Sequence, residues 1–392
     1  MPLIKMFNIA TPEKDSVRQA AYKVAQAQGL PTRHNEDWHY TELPTLLRDA
    51  KPTQILSPID FASVNPYCIV FRDGVFRDGV KNIEASEGDE AAFHITPYAP
   101  QPLPEKATAI NAYNMAHAQD GLCLRVINTP SRPLEVKTLG DTSHHIRHHI
   151  VLEAGVEMTL IKTCAASGAH NIWWDIELGQ GARLNIISHH YGSVAVETQT
   201  ITLAKDATLH STDFIMAGDV VRHESHIHLS GVGAHAYLHN AILGTGNNHH
   251  DMRCVAHHHA AHTSSTINAH NVLDDTARGI FQGKVIVARD AQHVDATQNI
   301  RAMMLSDEAE MDTKPELEIY ADDVACAHGA TIGALDDDAL FFLQARGVDK
   351  KTAKRLLIAA FIEQVVATIA AEPQRVLVQN YISSLIAETS SA

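Results

Sequence analysis

One repeat limits what this chain can fold into. Leu152, Leu178, Leu203 and Leu229 recur at spacings of 26, 25 and 26 residues. Each leucine ends an apolar run, precedes a turn containing Gly or Asp, and is followed by a second short apolar run. Those second runs begin at Val156, Ala182, Ala207 and Ala234. A fixed period of this size marks stacked units, none of which buries its apolar face alone. Strand–turn–strand units predict a β-helix or a related stacked β-fold. A β-sandwich or a pair of cupin-like barrels also presents evenly spaced short strands and is the alternative on periodicity.

The repeat sits in a core expected over 120–335, rich in Val, Ile, Thr and His. Residues 1–50 read as an N-terminal helical region. Thr11 and Pro12 suit a helix start, Val17, Ala20, Ala21 and Val24 follow at helical spacing, and Gly29 suits a stop. The polar stretch from Leu30 to Thr41 carries Trp38 and Tyr40, so it is expected to dock as an irregular loop. Residues 51–119 read as an α/β linking region in which FRDGV occurs twice, each Asp-Gly marking a tight turn. Residues 336–392 read as a C-terminal helical domain. Asp336–Asp338 favour a helix start and Gly347 its end; a nearly all-apolar helix follows from about 350 to 371. A third helix carries Leu377, Tyr381 and Leu385 on one face. So short a domain has little core of its own, which predicts a partner surface there.

With 31 Lys and Arg against 46 Asp and Glu, the formal charge of −15 argues against binding nucleic acid or anionic membranes. The five cysteines are scattered at 68, 123, 164, 254 and 326 without any Cys-x-x-Cys, which disfavours a structural zinc site or a four-cysteine Fe–S site. An odd, scattered set also suits a reducing compartment. The apolar stretch from Leu356 to Ala371 is interrupted by Glu363 and Gln364 and is too short to span a membrane. With no signal-peptide pattern at the N-terminus, the expected location is cytoplasmic.

Twenty-six histidines are the compositional oddity. They cluster at 144–149 and 249–262, and His226/His228 and His257/His259 lie two apart. Residues two apart on a strand share a face, so each pair could offer two ligands to Zn, Fe or Ni. The plainer reading is that these histidines occupy exposed strand positions. Gly-x-Ser-x-Gly, His-Glu-x-x-His, Walker A and Gly-x-Gly-x-x-Gly motifs are all missing. The adjacent pairs Asp274/Asp275 and Asp322/Asp323 would face opposite ways on a strand and read as turn or rim residues. A β-helical enzyme acting on polysaccharide and a histidine-rich metal-binding protein are the competing readings.

Cys326 and His328, two apart in an extended segment, put a thiol and an imidazole on one side. Spacing alone equally fits a buried cysteine beside a surface histidine. The run from Pro315 to Thr331, continuing through Leu340-Phe341-Phe342-Leu343-Gln344-Ala345-Arg346-Gly347-Val348, resembles the SufB/SufD family of Fe–S cluster assembly proteins. Val272–Val285 and Asp290-Ala291-Gln292 resemble the same family's core. Pro31-Thr32-Arg33, Asn35-Glu36-Asp37-Trp38 and Tyr40-Thr41, with the chain length, resemble its SufD branch. The matches run in order from 31 to about 365. Departures are Ala327 in place of a serine, and Met303 and Met304 where leucines are usual.

The resemblance implies a mainly β protein: a right-handed parallel β-helix core flanked by N- and C-terminal helical domains. It implies a non-catalytic scaffold in which SufB and SufD pair through their cores, and the ATPase SufC binds the C-terminal helical domain. A homodimer is expected for the chain in isolation. No tightly bound cofactor is expected; iron or a nascent Fe–S cluster passes transiently at the SufB–SufD interface. The family histidine of this segment, implicated there, corresponds to His328, with Cys326 the second candidate.

Overall fold

The computed structural model describes residues 15–50, 57–78, 92–100, 103–104, 107–192 and 194–389. The helix start at Thr11–Pro12 and the end of the second FRDGV copy lie outside the described residues. Helix α1 (Ser16–Gln28) is capped by Asp15, whose carboxylate accepts from Val17 N at 2.8 Å, and it stops at Gly29 with φ +70°. Helices α2 (Leu43–Asp49) and α3 (Ala109–His117) follow. Strand β1 (Tyr67–Arg72) turns through Asp73-Gly74 into β2 (Val75–Asp78), and β3 (Phe93–Thr96) pairs antiparallel with β4 (Cys123–Val126).

From β5 (Leu134–Gly140) the chain winds as a parallel β-solenoid of about seven turns. The strands are β6 (His144–Leu152), β7 (Glu157–Ala166), β8 (Ala169–Leu178), β9 (Arg183–His190) and β10 (Val194–Leu203). They continue as β11 (Thr208–Ile215), β12 (Val220–Leu229), β13 (His235–Gly244), β14 (His249–His258) and β15 (Ser264–Leu273). The last are β16 (Arg278–Val287), β17 (Val294–Met304), β18 (Glu310–Ile319) and β19 (Val324–Ala334). From β5 onward, odd strands build one sheet and even strands the other.

The leucine period is one turn of this winding. Leu152, Leu178, Leu203 and Leu229 end successive even strands, pair in register and stack fully buried. The turns after them place Gly155, Gly181, Asp206 and Gly233 at φ +72°, +66°, +57° and +74°. Glycine reaches this left-handed region freely and aspartate tolerates it, which is why the repeat carries those residues. The stack continues to His258, Val287 and Ile319 at spacings of 29, 29 and 32 residues. His258 takes the place of a leucine because both ring nitrogens find hydroxyls, Thr263 Oγ1 at 2.7 Å and Ser265 Oγ at 2.8 Å.

Helices cover part of each outer face. On the even sheet, Ala25, Leu43, Leu47 and Ile110 of the N-terminal helices pack on Ala169, Val194, Val196 and Val220. Asn114 of α3 donates to the carbonyls of Ile146 (2.9 Å) and Asn171 (2.8 Å), bonding this helix to strands β6 and β8. Beyond β19 come α4 (Asp337–Gln344), capped by Asp336 on Ala339 N, then α5 (Lys350–Val366) and α6 (Glu372–Thr389). Ile358, Ile362, Val365, Val378 and Ile382 of α5 and α6 pack on Ile161, Ile187, Phe214 and Val272 of the odd sheet. These helices therefore share a core with the solenoid. No helix among the described residues is long and apolar enough to cross a membrane.

Candidate functional site

Strands β18 and β19 close the winding, and each is the last strand of its sheet. Their outer backbone edges, ten and eleven residues long, have no neighbouring strand among the described residues. Pro315 is tolerated in β18 because an edge strand can spare a ladder donor. Ile319, Tyr320 and Ile332 are large apolar residues left exposed along this end. The solenoid is open here, with its last apolar layer facing outward.

Cys326 and His328 lie on β19, paired in register with Ala296 and Gln298 of β17. Those partners are buried, so Cys326 and His328 occupy the inward-facing positions of the final turn. Cys326 packs on the end of the apolar core, and burial pushes its thiol above the ordinary value. His328 is exposed, since no further turn stacks over it. Below it, Gln298 Nε2 donates across the interior to the Glu316 carbonyl of β18 at 2.9 Å. Gly283 makes room for that amide: a Cβ there would lie 2.2 Å from Gln298 Oε1. The end of the solenoid thus presents a thiol and an imidazole on one strand face, between two unpaired edges. Both are ligands for iron or zinc.

Residues 136–361 match the family described as "SUF system FeS cluster assembly, SufBD core domain". The chain belongs to the SufBD family. The match runs from β5 into α5 and includes Cys326 and His328. The chain is 28% identical over 369 residues to the iron-sulfur cluster assembly protein SufD of Escherichia coli, covering 85% of this chain and 84% of that one. A SufBD family protein of Synechocystis is 25% identical over 396 residues, covering 90% of this chain and 86% of the relative. The Bacillus subtilis SufD is 32% identical over 149 residues, 38% of this chain and 34% of that one. The chain is thus a SufD-type member, and its broad role is Fe–S cluster assembly.

In this SufBD member the 30–41 loop docks on the even sheet through buried charge. Trp38 and Thr41 are buried. Arg222 lies under the loop, fully buried, bonded to Asp251 and to Glu224 (3.1 Å), and donates to the Asp37 carbonyl at 2.8 Å. Arg253 bridges Asp37 (2.6 Å) and Glu224 (2.8 Å). Thr41 Oγ1 reaches Asp251 Oδ2 at 2.5 Å and His249 Nε2 at 3.0 Å. Burial alone would raise the Glu224 carboxyl, but Arg222 overrides it and holds the group well below the usual range.

A second polar cluster lies inside the solenoid, amid its apolar core. Lys162 donates to Glu197 at 2.5 Å and to Gln199 at 2.9 Å, all three buried. His190 and His223 approach the same carboxylate at 3.6 and 3.5 Å, and Asp213 stands 3.5 Å from His223. Burial would raise Glu197, but the Lys162 ammonium, with the two imidazoles, holds it down to about 2. The signal was present in the sequence: Lys162, Glu197 and His223 fall on the core phase of their strands.

The view of the histidines as exposed strand positions is corrected. Eleven are buried among the described residues, including His144, His145, His148 and His170. His148 lies against the Trp174 ring at 4.0 Å and accepts from Leu122 N at 3.1 Å. Burial keeps His148 and His170 neutral, with pKa values near 3. The pairs His226/His228 and His257/His259 do share the outer face of adjacent turns. Asp275 forms a turn with φ +54°, and Asp274 accepts from Lys354 of α5 at 3.3 Å, so this pair is structural.

Proposed function

We propose that this SufD-type chain is a non-catalytic scaffold subunit of a SUF Fe–S assembly complex, working in the cytoplasm. Its open end pairs with SufB, its C-terminal helices bind the ATPase SufC, and His328, with Cys326, serves where iron is acquired and the nascent cluster forms. Iron and sulfur are cargo, and the chain keeps no tightly bound cofactor of its own. In isolation the same edges pair two copies of the chain.

The observation carrying this reading is the coincidence at the last turn of two unpaired edges and an inward-facing Cys-x-His. Unpaired edges of this length are templates for another chain's strands. A thiol and an imidazole held between them supply half of a shared ligand set. Support for SufC binding comes from α4, where adjacent Phe341 and Phe342 are 72% and 54% exposed. Arg346 covers Phe342 with its guanidinium 3.4 Å from the ring centre. Exposed aromatics beside an arginine have the composition of a binding hot spot.

Co-expression with SufB and SufC tests the reading. One stable complex of all three is expected. I319D/I332D at the edges should release SufB and keep SufC, and His328→Ala should keep the complex while lowering Fe–S maturation in cells. A chain that co-purifies with neither protein would overturn the proposal.

A further inference from the structure

The even sheet's outer face carries a histidine cluster that the Fe–S reading leaves unused. His228 of β12 and His257 of β14 are register partners, and their rings stack at 4.5 Å. His259 follows the end of β14, where its backbone N–H donates to the Leu229 carbonyl at 3.1 Å and fixes the turn. That brings His228 Nδ1 and His259 Nε2 to 3.1 Å. One nitrogen from each of the three rings lies within 4.8 Å of the other two. His257 Nε2 is buried without a hydrogen-bond partner.

We propose that His228, His257 and His259 form a surface site for a divalent first-row transition ion, with water in the remaining positions. The spacing suits it. Two nitrogens each about 2.0–2.1 Å from one ion stand about 2.8–3.4 Å apart at octahedral or tetrahedral angles. Neutral imidazoles are ligands for Zn, Co, Ni and Cu. Burial and the neighbouring rings keep His228 and His257 neutral, near 4 and 3, so each ring carries a lone pair at neutral pH. Next to them His226 stacks on His257 at 5.8 Å and is held by the Glu224 carboxylate at 2.8 Å. His257 closes on the ion by turning its ring out of the stack with His228. His259, exposed at the rim, is the entry side.

The test is a Co2+ titration of the untagged full chain, read by visible ligand-field absorption and by calorimetry with Zn2+. Wild type should bind one tight equivalent that H228A/H257A lacks. His259→Ala, which removes an exposed ligand and little packing, should weaken that equivalent by about tenfold or more. H262A/H293A, which deletes a different stacked pair (4.7 Å), should bind as wild type does. Far-UV circular dichroism checks the fold of each variant. Unchanged stoichiometry and affinity in both H259A and H228A/H257A would overturn the site. So would a wild type without a tight equivalent, which would leave the 3.1 Å contact as a hydrogen bond between imidazoles only.

Discussion

The Arg222 guanidinium lies over the Trp38 ring, 4.0 Å from its centre. This contact joins a loop near the N-terminus to strand β12 of the solenoid. Arg222 is fully buried and holds Asp251, Glu224 and the Asp37 carbonyl, so the loop covers an ion network. Arg222→Ala leaves buried Asp251 without its cation, while Glu224 keeps Arg253, and should cost about 3–5 kcal/mol of stability. Urea unfolding measures the loss. Limited proteolysis should cut that variant within residues 31–42 before the wild type is cut; equal resistance would remove the loop from the network.

Lys162→Met leaves Glu197 buried without its cation and should cost about 3–5 kcal/mol. The double variant K162M/E197L removes both charges and should recover most of that, because well-packed apolar pairs often match a buried ion pair. Equal instability of the single and double variants in urea would mean that the cluster matters for shape alone.

Stability should fall steeply in mild acid. Burial holds His148, His170 and His189 near 3, and His190 and His250 near 4, against an ordinary value of 6.5. Between about 6.5 and these values the unfolded chain takes up protons that the folded chain refuses. Each such histidine removes about 1.4 kcal/mol per pH unit as pH falls through that window. Glu197 acts lower: held near 2, it contributes stability above its ordinary 4.5 that is lost as pH drops from there toward 2. The acid midpoint by circular dichroism should lie above pH 4. His189, with both ring nitrogens unpartnered and its ring stacked on Phe214 at 5.4 Å, gives a direct check. His189→Phe should stabilise the chain by about 1–2 kcal/mol and lower the acid midpoint.

Gly283→Ala should loosen the last turn. The new Cβ drives into Gln298 Oε1 and displaces the amide that bonds the Glu316 carbonyl. A loss of about 1–3 kcal/mol is expected, with faster hydrogen exchange confined to β18 and β19. G283A/Q298A should restore much of it, and uniform exchange across the solenoid would contradict the local account.

F341D/F342D tests the C-terminal surface. Both rings are exposed, so the fold should hold within about 0.5 kcal/mol while SufC is lost from pull-downs. Retained SufC would move that interface off α4.

The winding was legible because one turn is one sequence period, and left-handed corners admit few residues besides Gly, Asp or Asn. The leucine stack followed from the period alone. The lumen charges were harder to see, since Lys162 and Glu197 meet only when strands β7 and β10, in opposite sheets, face each other across the interior, 35 residues apart. The docking of Trp38 was foreseen as docking but not its partner, because Arg222 stands nearly half the chain away. Cys326 and His328 were singled out by spacing and resemblance. Their place at an open end came only from the register of β17 and β19 and from the absence of any strand beyond them among the described residues.

The two ends of the solenoid are unlike. At its start the ladders finish in β2 and β3, four residues each and antiparallel to their neighbours. At its finish they stop at strands of ten and eleven residues. A stack with two equal ends would add copies head to tail without limit, as fibres do. This one has a direction, and any contact that joins two long ends consumes both. Assembly through that end would stop at a pair, so long exposed β-edges there need not seed polymers.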